Sequence, residues 1–212
     1  MSEEFIHADF NLGKLDITDL ERDPFAQFVK WYQEVQARKI TEYQAMSLAT
    51  CSRGGRPSNR IVYLRNYDAT GFVFYTNYLS RKGHELSTNP LAAVCLYWKE
   101  LERQVRIEGR IEPVSASESD AYFADRPVES QLGAWASTQS ETLESIAVLE
   151  ARVEEFRQKF GGGKIPRPAH WGGYRVLPDR FEFWQGRPSR LHDRFAFEKD
   201  RAGVWTVSRL NP

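Results

Sequence analysis

Between Phe25 and Val35 the apolar residues Phe25, Phe28, Val29, Tyr32 and Val35 recur at helical spacing, which predicts a helix running to about Arg38. Asp23 stands before it as N-cap, and Pro24 takes the first helical position. At Ala45 the period shortens to two. AMSLATC, the turn Arg53-Gly54-Gly55, SNRIVYLRNYD, a turn ending at Gly71 and GFVFYTNY then read as an antiparallel meander. A short helix is predicted after Ser80, stopping before Asn89-Pro90 because proline disfavours helix in the residue before it. LAAVCLYW and RQVRIEGRIEPV are two further strands joined by KELE, and SESDAYFADR reads as a short helix begun by Ser117-x-x-Asp120 and ended by Pro127. A longer helix is predicted from Glu141 to Phe160. Leu143, Ile146, Leu149, Val153, Phe156 and Phe160 form its apolar face, and Gly161-Gly162-Gly163 stops it. YRVLP, FEFWQG, RLHDRFAFE and VWTVSRL complete the strands.

Many strands on short turns, with a few peripheral helices, predict a mainly β (α+β) fold built on a closed antiparallel barrel. A doubly wound parallel sheet is not expected, since the strands follow one another too directly and no G-x-G-x-x-G opens a helix after a strand. An aromatic content of 13% suits the β reading, and 212 residues are enough for one large domain. That domain is taken as residues 23–212. Residues 1–22 stand apart as an N-terminal segment, either flexible or a substrate lid.

Twenty-nine basic residues against 29 acidic leave no bulk electrostatic case for nucleic acid or an anionic membrane as partner. No apolar run is long enough to span a bilayer and MSEEFIHADF has no signal-like apolar region, so the protein is expected to be cytoplasmic. Cys51 and Cys95 lie in apolar strands without metal-ligand spacing. They are expected to be buried free thiols, and no metal site is expected.

Several placements suit an anion. Arg81 and Lys82 open the helix after Ser80, where the helix dipole and unbonded N–H groups are already positive; a phosphate there would turn a cost into a gain. A solvated pair of basic residues explains them equally well. Thr138-x-x-Glu141 reads first as a capping box, with Ser140 as an alternative cap, although Gln139 and Ser140 could donate to a phosphate. Arg60 shares a strand face with Val62 and Leu64, so it is expected to face inward unless it stands at a barrel mouth, and a buried arginine needs an anion or several acceptors. Tyr122, Arg126 and Ser130 follow at spacings of four and would form one polar stripe on a continuous helix, which Pro127 interrupts. Gln104 shares a face with Arg106 and says little alone. Near the C-terminus, FEFWQGRPSRLHDR places Arg190, His192 and Arg194 two apart, on one face if the segment is a strand. A solvated face is the commoner fate of such a trio. Nucleophile elbow, zinc spacing, Walker loop and paired carboxylates are all missing, which points to borrowed cofactor chemistry.

RIVYLR, FYTN with YLSRKG, LERQVRIEG, SQLGAWAS-QS, WGGYRV, EFWQG and RLHDR, in this order, resemble the pyridoxamine (pyridoxine) 5′-phosphate oxidase family. The similarity extends from about Asp23 to the end of the chain. It implies an antiparallel split β-barrel with peripheral helices, acting as a homodimer with flavin mononucleotide (FMN) at the subunit interface. The implied reaction oxidises pyridoxamine 5′-phosphate and pyridoxine 5′-phosphate to pyridoxal 5′-phosphate, with O2 as acceptor. By motif, the resemblance assigns FMN to Arg60, Ile61, Val62, Tyr63, Leu64 and Arg65 of the RIVYLR strand, and to Tyr75 and Thr76. Arg81 and Lys82 would take its phosphate, with Gln104, Gln139, Ser140, Trp184 and Arg194 completing the cofactor set. Arg65, Tyr122, Arg126 and Ser130 would bind the substrate phosphate. Arg190 and His192 would face the substrate ring as catalytic residues.

Two departures stand out. Arg65 replaces the lysine usual in the family, which keeps the charge but changes its geometry. His7-Ala8-Asp9-Phe10 stands where some members have an R-x-x-Y lid. Two other functions compete: a split-barrel flavin oxidase acting on another ring, as in phenazine biosynthesis, and a non-enzymatic flavin- or pyridoxal-phosphate-binding protein.

Overall fold

The computed structural model describes residues 9–212; His7 and Ala8 of the HADF stretch lie outside them. The helices are α1 (Pro24–Ala37), α2 (Arg81–Thr88), α3 (Ala116–Ala124), α4 (Val128–Ala136) and α5 (Ile146–Phe160). The strands are β1 (Ala45–Cys51), β2 (Pro57–Tyr63), β3 (Asn66–Asp68), β4 (Gly71–Asn77), β5 (Leu91–Trp98), β6 (Arg103–Pro113), β7 (Trp171–Gln185), β8 (Asp193–Lys199) and β9 (Trp205–Leu210). Hydrogen bonding orders them β2-β1-β5-β6-β7-β4-β3, with β8 on β7 and β9 on β8. This is a path with ends, not the closed ring that the strand count suggests.

Two compact units interleave along the chain. One comprises residues up to Leu48, Ala93–Gly109 and Pro178–Pro212. In it α1 forms as expected: the Asp23 carboxylate accepts from the Phe25 N–H and Pro24 sits in the first turn. Phe28, Trp31, Tyr32 and Val35 are buried, and the Trp31 ring meets Phe183 edge-on at 5.3 Å. Phe181, Phe183, Phe195 and Phe197 of the β7–β8 pair fill the same core; each contributes on the order of 1.5–3 kcal/mol by leaving water.

The other unit comprises Ala49–Ala92 and Arg110–Leu177. Here β4 pairs antiparallel with the first half of β7, from Phe72 opposite Val176 to Asn77 opposite Trp171. Its core holds Leu64, Phe72, Phe74, Phe123, Leu132 and Val176.

The structure corrects several sequence expectations. SNRIVYLRNYD is two strands, broken at Leu64 and Arg65, where the Arg65 N–H bonds the Val73 carbonyl. YRVLP and FEFWQG are one strand. Pro178 costs it no ladder bond to β4 or β8, because it falls between the stretch paired with β4 and the stretch paired with β8. Ser115, not Ser117, caps α3 by accepting from the Glu118 N–H. The long helix begins at Ile146 behind a Ser145 cap, so Thr138 and Ser140 cap no helix and Leu143 stays exposed. Its stop is as expected, with Gly161 in the left-handed region at φ 53°. Cys51 and Cys95 are half-buried rather than buried.

Candidate functional site

A cavity of about 1030 Å³ opens between β2, the end of β4, the first turn of α2, and α3–α4. Every residue lining it belongs to the second unit. Strand parity sets the wall. Arg60 and Val62 are half-buried on one side of β2 with buried Leu64 beyond them, and Ile61 and Tyr63 alternate on the other. Both sides except Leu64 line the cavity, which therefore takes up the whole RIVY stretch with Arg65.

The first cationic group gathers at the start of α2. Ser80 caps this helix by accepting from the Gly83 N–H. Lys82 is 8% exposed, and its Nζ donates to Thr76 Oγ1 (3.1 Å), Ser80 Oγ (3.1 Å) and Gln139 Oε1 (2.9 Å). All three acceptors are neutral, and Lys82 has no carboxylate partner among the described residues. Burial, and then the charge of Arg60, press its pKa down to about 8. Arg60 and Arg81 flank it and share the buried Glu85 carboxylate, at 3.5 Å and 3.0 Å. Ser140, held at φ 76°, borders the same wall.

The second group lies around Arg126. Its guanidinium carbon sits 4.5 Å from the centroid of the Trp171 ring and 5.6 Å from that of Phe123, and its Nη1 is buried without an acceptor. Burial lowers its pKa; Tyr122 offsets this in part, and Arg65 adds to the lowering. Tyr122 stacks on Tyr75 at 3.8 Å and 4°, and Tyr75 on Trp171 at 5.5 Å and 8°. Pro127 divides α3 from α4, so Tyr122, Arg126 and Ser130 are not one helical stripe. The kink nevertheless leaves all three on the cavity wall with Arg65, whose guanidinium carbon lies 4.8 Å from the Tyr63 ring centroid.

Gln104, Trp184, Arg190, His192 and Arg194 belong to the other unit and line no part of this cavity. The expected strand trio is also broken. Arg190 lies in a tight 3-10 turn at φ 60°, next to Ser189 at φ 56°, and only Arg194 is within β8. His192 packs against Trp184 (4.7 Å) and Phe10 (5.5 Å), and its Nδ1 accepts from the Arg187 N–H at 3.1 Å. Burial and then the charges of Arg190 and Arg194 depress the imidazole pKa, so the neutral ring is favoured. Trp184 stands directly across from Arg194 in the β7–β8 register. Arg194 is tied to buried Glu182 (2.9 Å) and to the Asn211 carbonyl (2.8 Å).

Sequence reasoning missed Glu85, Ser58, Thr50 and Trp171 as site components. Glu85 was detectable as the residue four after Arg81, and Ser58 as the residue two before Arg60 on the same strand face. Trp171 gave no local signal, because its role depends on stacking across three separate segments.

Residues 32–160 match the family model described as pyridoxamine 5′-phosphate oxidase, and residues 171–212 the one described as pyridoxine 5′-phosphate oxidase C-terminal dimerisation region. A relative from Burkholderia multivorans named pyridoxine/pyridoxamine 5′-phosphate oxidase is 55% identical over 98% of this chain and 97% of its own. One of the same name from Ralstonia pickettii is 53% identical over the same shares. PhzG from Burkholderia lata 383, solved in complex with tetrahydrophenazine-1-carboxylic acid, superposes with a TM-score of 0.87 at 32% identity, covering 94% of this chain and 100% of that one. A pyridoxamine 5′-phosphate oxidase-related, FMN binding protein from Nostoc punctiforme shares the fold, with a TM-score of 0.72 at 17% identity over 91% of this chain and 100% of that one. The fold is an antiparallel split barrel with peripheral helices. No helix among the described residues is long and apolar enough to cross a membrane.

Proposed function

The chain belongs to the pyridoxamine 5′-phosphate oxidase family, and from that premise we propose that it oxidises pyridoxamine 5′-phosphate and pyridoxine 5′-phosphate to pyridoxal 5′-phosphate, using FMN and O2 and releasing H2O2. One observation carries the reading: a single cavity contains two separate cationic groups, each with a buried charge that lacks an anionic partner among the described residues. These are Lys82 and the Nη1 of Arg126. Two phosphates, one on the cofactor and one on the substrate, would satisfy both.

The residues present fit FMN. Lys82, Arg81 and Arg60 would hold its phosphate with Gln139 and Ser140, while Tyr75, Thr76 and the Ile61-Val62-Tyr63 stretch border the remaining volume; Leu64, assigned to FMN by motif, is buried behind this wall. Bound FMN would supply the redox chemistry, accepting a hydride from the substrate C4′ and returning the electrons to O2. Arg126, Arg65, Tyr122 and Ser130 would anchor the substrate phosphate and so fix the distance of C4′ from the reacting position. With the amine substrate, water then converts the imine to aldehyde and ammonia.

Arg190 and His192, with Gln104, Trp184 and Arg194, would complete the cavity of a second protomer in a cytoplasmic homodimer. The match to a C-terminal dimerisation region supports this arrangement. A neutral His192 with Nδ1 engaged leaves Nε2–H as a donor toward the substrate ring.

Similarity to PhzG favours a second reading, oxidation of another ring system. Four phosphate-suited side chains around Arg126 fit a dianion better than a lone carboxylate. Measuring peroxide release with the two phosphorylated vitamers, unphosphorylated pyridoxine and tetrahydrophenazine-1-carboxylic acid separates the readings. Turnover confined to the phosphorylated vitamers supports the first; turnover of the phenazine alone replaces it.

A further inference from the structure

We propose that Glu85 is a positioning residue for the cofactor phosphate, because its carboxylate ends a hydrogen-bond relay that fixes where Arg60 points. The inference rests on the FMN reading above. Glu85 sits in the second turn of α2 with its side chain 8% exposed. Its Oε2 accepts from Thr50 Oγ1 and from Ser58 Oγ, each at 2.5 Å, and its Oε1 accepts from Arg81 Nε at 3.0 Å. Behind the two hydroxyls stands Arg60, whose Nη1 donates to Thr50 Oγ1 at 2.5 Å and whose Nη2 donates to Ser58 Oγ.

The polarity of this relay requires a carboxylate. An ionised carboxylate only accepts, so both hydroxyl protons point at Glu85 and leave their lone pairs for the two arms of the Arg60 guanidinium. An amide would offer an N–H on one side, and the hydroxyls would no longer be compelled to face one way. Burial alone would raise the Glu85 carboxyl, but hydrogen bonds from Ser58, Thr50 and Arg81 and the charge of Arg81 outweigh it and hold the pKa at about 2. The relay is therefore charged throughout the neutral range.

Charge alone acts in the opposite sense, since losing the Glu85 carboxylate would add a positive charge and strengthen anion binding. A loss of FMN affinity therefore reads the lost orientation. Arg60, Arg81 and Lys82 supply three positive charges and Glu85 removes one, leaving two. A phosphomonoester carries about −1.5 to −2 at neutral pH. Glu85 thus orients Arg60 and trims the site to the charge of a monoester.

The test compares apoprotein affinity for FMN and for riboflavin, which lacks the phosphate, by quenching of flavin fluorescence. Glu85→Gln should weaken FMN binding by about tenfold or more while leaving riboflavin binding unchanged. Ser58→Ala removes one branch of the relay and should shift FMN affinity in the same direction by less. If Glu85→Gln fails to fold by thermal melt, the FMN-to-riboflavin ratio of Ser58→Ala decides, and an unchanged ratio overturns the proposal. Equal losses for both flavins would make Glu85 a structural residue only. A wild type that does not prefer FMN to riboflavin contradicts the functional reading as well. A wild type that prefers FMN, with a Glu85→Gln variant that prefers it equally, overturns only the role of Glu85.

Discussion

Arg126 stacks on Trp171 with its guanidinium carbon 4.5 Å from the ring centroid, while its Nη1 lies buried without an acceptor. The stacking fixes the plane of the guanidinium and the orphaned donor gives it a direction, so the side chain is set for a ligand before one arrives. Replacing it should therefore affect one ligand and not the other. Arg126→Met is expected to raise KM for pyridoxine 5′-phosphate by about 10- to 150-fold, the range for a hydrogen bond to a charged group, with FMN affinity within about twofold of wild type. Steady-state kinetics beside flavin titration checks this; parallel losses would mean that Arg126 serves the cofactor.

Lys82 carries a pH prediction. Its folded pKa of about 8 lies below the ordinary 10.5, so between these values the unfolded chain binds the proton that the folded chain has released. Apoprotein stability should accordingly rise with pH across that window, and the cost of the buried charge is fully present below about pH 8. An anion beside Lys82 reverses the balance by favouring the ammonium form. FMN affinity should then fall as pH rises above about 8, approaching tenfold per unit, with uptake of up to one proton on binding. Calorimetry in two buffers of different ionisation enthalpy measures that proton. Binding without proton uptake at pH 9 would mean that the phosphate sits elsewhere.

His192 gives a second titration of the same sign, on the acid side. Its pKa is depressed below 6.5 by burial and by Arg190 and Arg194. The unfolded state therefore binds the proton first as pH falls, and the folded state loses stability below about pH 6.5. Ring-nitrogen NMR should find a neutral imidazole protonated at Nε2 at pH 7, consistent with Nδ1 accepting from the Arg187 N–H. A doubly protonated ring at that pH would contradict the geometry. His192→Gln should flatten this part of the stability profile.

What could be read in advance depended on how local the cause was. The Asp23–Pro24 start and the Gly161 stop are set by their own backbone chemistry, and both stand as expected. Strand parity alone predicts an inward Arg60 in need of acceptors, and in the structure it is half-buried with Thr50, Ser58 and Glu85 as partners. Arg190 failed because alternation presumes an extended chain, whereas Ser189 and Arg190 both adopt positive φ. That conformation has no signature in residues other than glycine, asparagine or aspartate. The Tyr75–Tyr122–Trp171 stack brings together β4, α3 and β7, and no single window of sequence contains it.

Gly173 supports that stack from behind. A Cβ at this position would lie 2.8 Å from the Tyr75 ring and 2.7 Å from Val114 Cγ2, closer than side chains tolerate. Gly173→Ala should cost about 1–3 kcal/mol of stability by overpacking and push Tyr75 out of register with Tyr122. Denaturant unfolding gives the first quantity. The expected companion is weaker binding of both FMN and substrate phosphate, because Tyr75 and Tyr122 face the two subsites. Full stability and full affinity in the variant would show that the backbone here relaxes freely.

A single anaerobic reduction tests most directly whether the protein is an FMN-dependent oxidase of the phosphorylated vitamers. Protein loaded with FMN is mixed with pyridoxine 5′-phosphate in the absence of oxygen, and the visible absorption band of the oxidised flavin is followed. The band should bleach, admitting O2 should restore it with one peroxide formed per flavin, and pyridoxal 5′-phosphate should accumulate in the same amount. A bound flavin that stays oxidised with both phosphorylated vitamers would contradict that activity.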